Sequence, residues 1–335
     1  MKKNGHVQFC LFILTGIAAV LAAAILSLFM GSTNISWQTV LQALFSPDLA
    51  EHQHLAIIEL RLPRTLGDIL VGAAFAASGA IMQGVTRNPL ADSGLLGINA
   101  GASFALALCL AAASQINFSL TVFASFLGAS MAALIVFGLL KINHRKTDSV
   151  RLVLAGSAVS VFLTSICQFI SIFANIGQDL TFWTAGGTAG IRMDQLTIAA
   201  PVILFGLISA LLLSRKISLL SLGDDTARGL GLDVERSTWL SLFVVMVLAG
   251  SAVSLAGPIA FVGLLVPYFV RFFVGGDYQK VIPGSMIAGA LFMVLADVAA
   301  RVINAPSETP VGLIFAVIGV PVFIWIARKG DMLSD

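Results

Sequence analysis

Runs of apolar residues follow one another along almost the whole chain, with short polar stretches between them. Nine approach or reach spanning length: residues 9–30, 66–84, 97–113, 118–140, 152–173, 196–213, 239–255, 281–300 and 312–327. The hydrocarbon core of a bilayer needs about 20 residues of helix. A tenth run, 259–273, is shorter and is broken by Pro258 and Pro267. Proline removes an amide donor, and a distorted segment is tolerated at membrane depth only where protein or a water-filled cavity covers it. This run is expected to form a half-length or re-entrant helix. The pattern predicts an all-α polytopic membrane protein of about ten transmembrane helices, one of them short or re-entrant. Both ends then lie on the same side, and residues 1–335 make a single transmembrane domain. The first run follows Lys2 and Lys3. It exceeds the ~7–15-residue apolar core of a signal peptide and reads as a retained helix.

Composition agrees with lipid as the solvent. Hydrophobic residues make up 58% of the chain and charged residues 11%, against about 25% charged in soluble domains. A net charge of +2 is too small to argue for nucleic acid. Cys10, Cys109 and Cys167 lie far apart in apolar stretches without CxxC spacing. They read as small hydrophobes.

Where the charges sit is more informative. With the N-terminus in the cytoplasm, alternation leaves only Arg61, Arg64, Arg192 and Arg301 outside, of 19 lysines and arginines. The remainder, Arg145 and Lys146 among them, fall on the cytoplasmic side, as the positive-inside rule requires. The four outer arginines are exceptions that invite explanation.

Several chemistries are missing. There is no GxxxxGK[ST] loop to cradle phosphates, and no HExxH or GxSxG. His6, His52, His54 and His144 are scattered, and the pair His52 and His54 lacks a third ligand. No catalytic residue, metal site or cofactor is expected. A membrane-embedded enzyme would need a nucleophile–base or metal cluster. An ion-coupled secondary transporter would need polar groups at the midplane.

Three local features carry the remaining chemistry. Arg61-Leu62-Pro63-Arg64 opens the second span, with proline suited to a first helical turn and two arginines on one face. They read either as snorkelling side chains or as anchors for carboxylates of an extracytoplasmic partner. Asp68 lies four residues after Arg64 and Asp297 four before Arg301, spacings that suit same-face ion pairs. Gly97 and Gly101 form a GxxxG suited to close helix packing. In the cytoplasmic connection 214–238, Leu219, Leu220 and Leu222 give an apolar face that Gly223 breaks. Asp224 is placed to cap a second short helix running through Ala227 and Leu230, ended by Gly229 or Gly231. Two short amphipathic helices would make a docking knob for a partner.

Together these pieces resemble the FecCD-type permeases of bacterial ABC importers, over nearly the whole chain. The resemblance rests on Arg61-Leu62-Pro63-Arg64, Val71-Gly72-Ala73, Ser78-Gly79, Gln83, Arg87-Asn88-Pro89-Leu90-Ala91-Asp92 and Leu96-Gly97. It continues through Leu222-Gly223-Asp224, Ala227, Leu230-Gly231, Ala256-Gly257-Pro258, Pro267, Arg271, Ala296-Asp297, Arg301 and Glu308-Thr309-Pro310-Val311-Gly312. Departures are Tyr268 where histidine is common, Ser93 where proline is frequent, and Asp68 where an apolar residue is usual.

The resemblance implies a type II ABC importer permease fold in the bacterial inner membrane, embedded in lipid, with both termini cytoplasmic. It implies a second permease copy or a sister permease, two cytoplasmic ATPase subunits and an extracytoplasmic substrate-binding protein. It assigns Arg61, Arg64 and Arg301 to docking of the binding protein. Leu219, Leu220, Leu222, Gly223, Asp224, Ala227 and Leu230 fall in the element coupled to the ATPases. The cargo it implies is iron(III)–siderophore, with vitamin B12 or haem as alternatives.

Overall fold

The structure is a computed structural model, and it describes residues 2–31, 35–48, 50–112, 118–142, 149–305 and 307–331. His144, Arg145 and Lys146 lie outside the described residues. Among those described, every regular element is helical. Ten principal helices are numbered here α1 (Lys2–Phe29), α2 (Leu62–Thr86), α3 (Ile98–Ala112), α4 (Phe118–Ile142), α5 (Ser149–Phe173), α6 (Met193–Leu220), α7 (Val234–Ala256), α8 (Val262–Val274), α9 (Tyr278–Ile303) and α10 (Val311–Asp331). Each falls on one of the ten expected segments. Seven are long and apolar enough to cross a bilayer, and α3, α8 and α10 supply the shorter apolar helices.

The helices divide into hub and rim. The most apolar stretch of α1 is 6% buried, whereas those of α2 and α7 are each 83% buried. Sequence explains the hub position of α2. Its middle reads Gly72-Ala73-Ala74-Phe75-Ala76-Ala77-Ser78-Gly79-Ala80, small residues that let neighbouring backbones close in. Gly72 lies against the backbone of Gly289 in α9, and a Cβ on either would collide with the other's carbonyl. Gly101 of α3 and Gly128 of α4 meet in the same way.

Gly97 does something else. Its φ of 72° ends the 3-10 turn Ser93–Leu96 just before α3. The expected GxxxG pair is therefore one packing glycine and one left-handed turn, a conformation that favours glycine.

The proline-broken segment becomes α8, 13 residues long, or about 20 Å. It begins at membrane depth: Gly263 packs against Gly79, seven residues from the end of α2. Pro267 cannot donate to the carbonyl of Gly263, one turn earlier. Gln83 of α2 supplies the missing donor, its Nε2 bonding the carbonyls of Gly263 at 3.3 Å and Leu264 at 3.1 Å. Its Oε1 accepts from Arg271. A side chain of the hub thus satisfies the backbone that proline leaves open.

The connection between α1 and α2, on the side that the charge pattern assigns to the outside and that is called outer below, holds the helix Trp37–Phe45, capped by Ser36 Oγ accepting from the Thr39 N–H at 3.2 Å. Val40 and Ala43 pack against Leu28, Ile35 and Ile57, while Trp37, Leu41, Leu44 and Phe45 stay exposed. Such a two-sided helix suits the membrane surface.

Candidate functional site

The outer end of α2 carries a buried ionic cluster. The helix enters through a widened turn, Ala56–Arg61, where the Leu62 N–H bonds the carbonyl of Ile57, five residues back. Pro63, next in line, has no N–H to offer. This turn aims Arg61 at the end of α1, where its Nη1 donates to the carbonyls of Leu28 at 2.8 Å and Phe29 at 2.9 Å. Arg301 of α9 reaches the same helix end. Its Nη1 bonds the carbonyls of Ser27 and Met30, each at 3.0 Å, and its Nη2 bonds Ser27 Oγ at 2.5 Å. The last carbonyls of a helix lack partners within the helix and carry its negative dipole end. Two outer arginines therefore cap α1.

Arg64 lies between two carboxylates. Its Nε and Nη2 bond Asp297 Oδ1 at 2.9 and 2.7 Å, and its Nη1 bonds Glu308 Oε1 and Oε2 at 2.9 and 3.0 Å. Asp297 also receives Arg301 Nη2 at 2.9 Å, four residues along α9. The Asp297 side chain is wholly buried and that of Arg64 is 9% exposed, whereas Glu308 is 40% exposed. Glu308 is placed by the Thr309 N–H, which bonds the carbonyl of Ala300 at 3.1 Å.

The i,i+4 pair of Asp297 with Arg301 forms as expected. The corresponding pair of Asp68 with Arg64 does not, because the cross-helix carboxylates occupy the guanidinium. Asp68 Oδ1 instead accepts from Thr188 Oγ1 at 2.6 Å, and its Oδ2 has no partner. Thr188 also lies 3.4 Å from Asp297 Oδ1, so two buried carboxylates face one hydroxyl. Thr188 and Glu308 had no signal in the sequence as members of this cluster. Their contacts cross 120 and 244 residues of chain.

The inner end of α2 carries an exposed counterpart. Thr86 ends the helix, and Arg87 follows with φ 54°, a left-handed conformation. Its Nη2 reaches Asp224 Oδ1 at 3.2 Å, with the two side chains 39% and 27% exposed. Asp224 opens the short helix Asp224–Gly229, but Gly223, with φ 105°, takes the cap position in its place. Asp224 therefore acts as a first-turn acid toward the helix dipole. Only this one short helix forms. Leu219 and Leu220 belong to the inner end of α6, which runs seven residues past the apolar stretch.

Ala227 and Leu220 are buried against Val234, Val85 and Leu232, while Leu222 and Leu230 are 58% and 59% exposed. Ser218 Oγ bonds Asp277 Oδ1 at 2.7 Å and accepts from the Tyr278 N–H at 2.9 Å, tying this corner to the start of α9. The result is a knob with two leucines facing out.

Between the two ends, the connection 87–97 folds back so that Asp92 lies against Gly263 at the start of α8. Burial pushes the Asp92 carboxyl above the usual carboxylate range, opposed by hydrogen bonds from Ser93. His54 is buried, its Nδ1 accepting from the Asp48 N–H at 3.1 Å and its Nε2 3.3 Å from Glu51. Among the described residues no three His, Cys, Asp or Glu side chains gather as a metal site would require.

Residues 19–329 match the FecCD transport family. The chain is 42% identical over 319 residues to the iron(3+)-hydroxamate import system permease protein FhuB of Bacillus subtilis, covering 95% of this chain and 83% of that one. It is 40% identical over 333 residues to the Fe(3+)-citrate import system permease protein YfmD of the same organism, covering 99% and 98%. Among solved structures, an inward-facing metal-chelate type ABC transporter superposes with a TM-score of 0.83 at 26% identity, covering 95% of this chain and 98% of that chain.

Proposed function

The chain belongs to the FecCD transport family, and we propose that it is the permease subunit of an ATP-driven importer whose cargo is iron(III) held by a siderophore. The observation that carries the cargo is the 42% identity, along 95% of the chain, to a permease named for iron(3+)-hydroxamate import. The whole of residues 1–335 serves as one permease domain, with both termini in the cytoplasm. A second copy or a sister permease completes the path, and two separate ATPase subunits hydrolyse the ATP.

The geometry supports a division of labour. ATPase subunits dock on the inner knob, where Leu222 and Leu230 fill an apolar pocket of the partner. Gly223 and Asp224 set the start of the short helix, and Leu219, Leu220 and Ala227 root it in the bundle. Closure of the ATPase pair pushes this helix. The Arg87–Asp224 bridge and the Leu220–Ala227 packing pass the push to α2 and α6. At the outer rim a binding protein docks over Arg61, Arg64 and Arg301, which lie just beneath the surface. Its carboxylates reach Arg64 by replacing Glu308, the half-exposed partner, while Asp297 stays in place. The path grips its cargo weakly, which lets the cargo leave.

The test is radiolabelled uptake in a strain lacking this gene, supplied with a panel of ferric siderophores, haem and cobalamin. Loss confined to one siderophore class supports the reading, and loss of cobalamin or haem uptake alone overturns the cargo. Uptake that collapses with an uncoupler while ATP is held steady would overturn ATP drive and favour an ion-coupled carrier.

A further inference from the structure

The ionic cluster at the outer end of α2 adjoins a second feature, the break between α7 and α8. Arg64 holds Glu308 and Asp297. Thr188 Oγ1 donates to Asp68 Oδ1 at 2.6 Å and lies 3.4 Å from Asp297 Oδ1. Asp68, Thr188 and Asp297 are all closed to solvent. One hydroxyl proton therefore stands between two carboxylates that water does not reach, and both gain by taking it. Which of them holds it depends on how fully Arg64 and Arg301 satisfy Asp297.

Thr188 ends the loop 185–188, and that loop rests on the end of α7. Gly186 and Gly187 have φ of 72° and 147°. The Gly187 N–H bonds the carbonyl of Ala256, the last residue of α7, at 2.7 Å. A Cβ on Gly257 would stand 2.6 Å from the Trp183 carbonyl oxygen, so the two backbones touch. Beyond this contact the chain reverses. Gly257 and Phe261 have φ of 69° and 71°, and α8 starts at Val262. Left-handed backbone is ordinary for glycine, but for phenylalanine it is an outlier that persists only where the surroundings impose it. The break is a held conformation, and the loop 185–188 is one of the parts that hold it.

We propose that Thr188 is a positioning residue that couples the outer ionic cluster to the α7–α8 break. The proposal rests on the reading above that partner carboxylates replace Glu308 on Arg64. Loss of Glu308 lets Arg64 shift on Asp297, Asp297 draws on the Thr188 hydroxyl, and the loop eases its bond to the end of α7. The half-length helix then has a second arrangement open to it. Asp68 anchors Thr188 in the resting arrangement, which gives a role to a carboxylate standing where an apolar residue is usual.

The experiment is hydrogen exchange read by mass spectrometry on the full chain in nanodiscs. It needs no partner, because Glu308→Ala frees Arg64 directly, so failure of docking and failure of the coupling are separate results. Glu308→Ala should raise exchange about two- to fivefold in peptides covering 183–191 and 256–264 and leave α5 unchanged. Asp68→Leu with Thr188→Val replaces the linked pair by apolar side chains of similar size. In that background Glu308→Ala should change only residues 300–310, whereas Thr188→Ser, which keeps the hydroxyl, should keep the full response. If the double variant loses its thermal midpoint, Thr188→Ala is read in its place. Exchange that changes only near residue 308 in the otherwise wild-type chain overturns the proposal, whether or not the other variants fold. A response that survives in the folded double variant runs through α10, whose Gly319 packs on Phe261, and overturns the role of Thr188.

Discussion

The two ends of α2 use the same chemistry in opposite surroundings. At the outer end Arg64 meets Asp297 at 2.7 Å with both side chains nearly closed off from solvent. At the inner end Arg87 meets Asp224 at 3.2 Å with both partly open. A buried pair is expensive to make and far more expensive to break, because removing one partner strands the other charge. An exposed pair is worth little by itself and adjusts readily. The outer cluster thus fixes how α1, α2 and α9 meet, while the inner pair adds little to how the short helix Asp224–Gly229 is held. The contrast also shows how three arginines share one end of the bundle: Arg61 and Arg301 meet the carbonyl end of α1, and Asp297 holds both Arg64 and Arg301.

The contrast can be broken from the most expensive contact downward. Asp297→Ala removes the carboxylate shared by Arg64 and Arg301 and should cost about 3–5 kcal/mol. The chain should lose its folded form in a thermal scan in mild detergent. Gly289→Val drives a side chain into the backbone of Gly72 and should cost about 1–3 kcal/mol by parting α2 from α9. The same scan should show a lowered midpoint without full loss. Gln83→Leu strands the carbonyl of Gly263 and one donor of Arg271, and should cost about 1–3 kcal/mol. Hydrogen exchange should rise in α8 and change little in α5. A double-mutant cycle of Arg87→Gln with Asp224→Asn should give a coupling of only ~0.2–1 kcal/mol in stability. A coupling as large as that expected at the outer end would erase the distinction between the two.

Much of the fold was legible because lipid imposes length. Each of the ten helices overlaps one apolar run, several extending past its ends, and the proline-broken run is the short α8. The Asp297–Arg301 pair was legible because helical spacing dictates it. The partners of Arg64 were not. Local spacing nominated Asp68, but Asp297 stands 233 residues away and is brought in by the glycine contact of α2 with α9. Helix ends were also misjudged where polarity and helicity part company. Leu219, Leu220 and Leu222 read as the face of a separate short helix, yet Ser214 through Leu220 continue α6, since a helix leaving the bilayer needs no further apolar face. Asp224 resembles a cap by residue type, but a glycine with positive φ precedes it and takes that place.

The inner knob is either a docking surface or a solvated corner, and its two exposed leucines distinguish them. The direct measurement pairs Leu222→Glu with Leu230→Glu in one chain and follows ATPase co-purification and iron–siderophore uptake together. Both side chains are exposed and root nothing, so the variant should keep the wild-type thermal midpoint while losing both the ATPase and uptake. A folded variant that retains ATPase subunits and transports at the wild-type rate would contradict it.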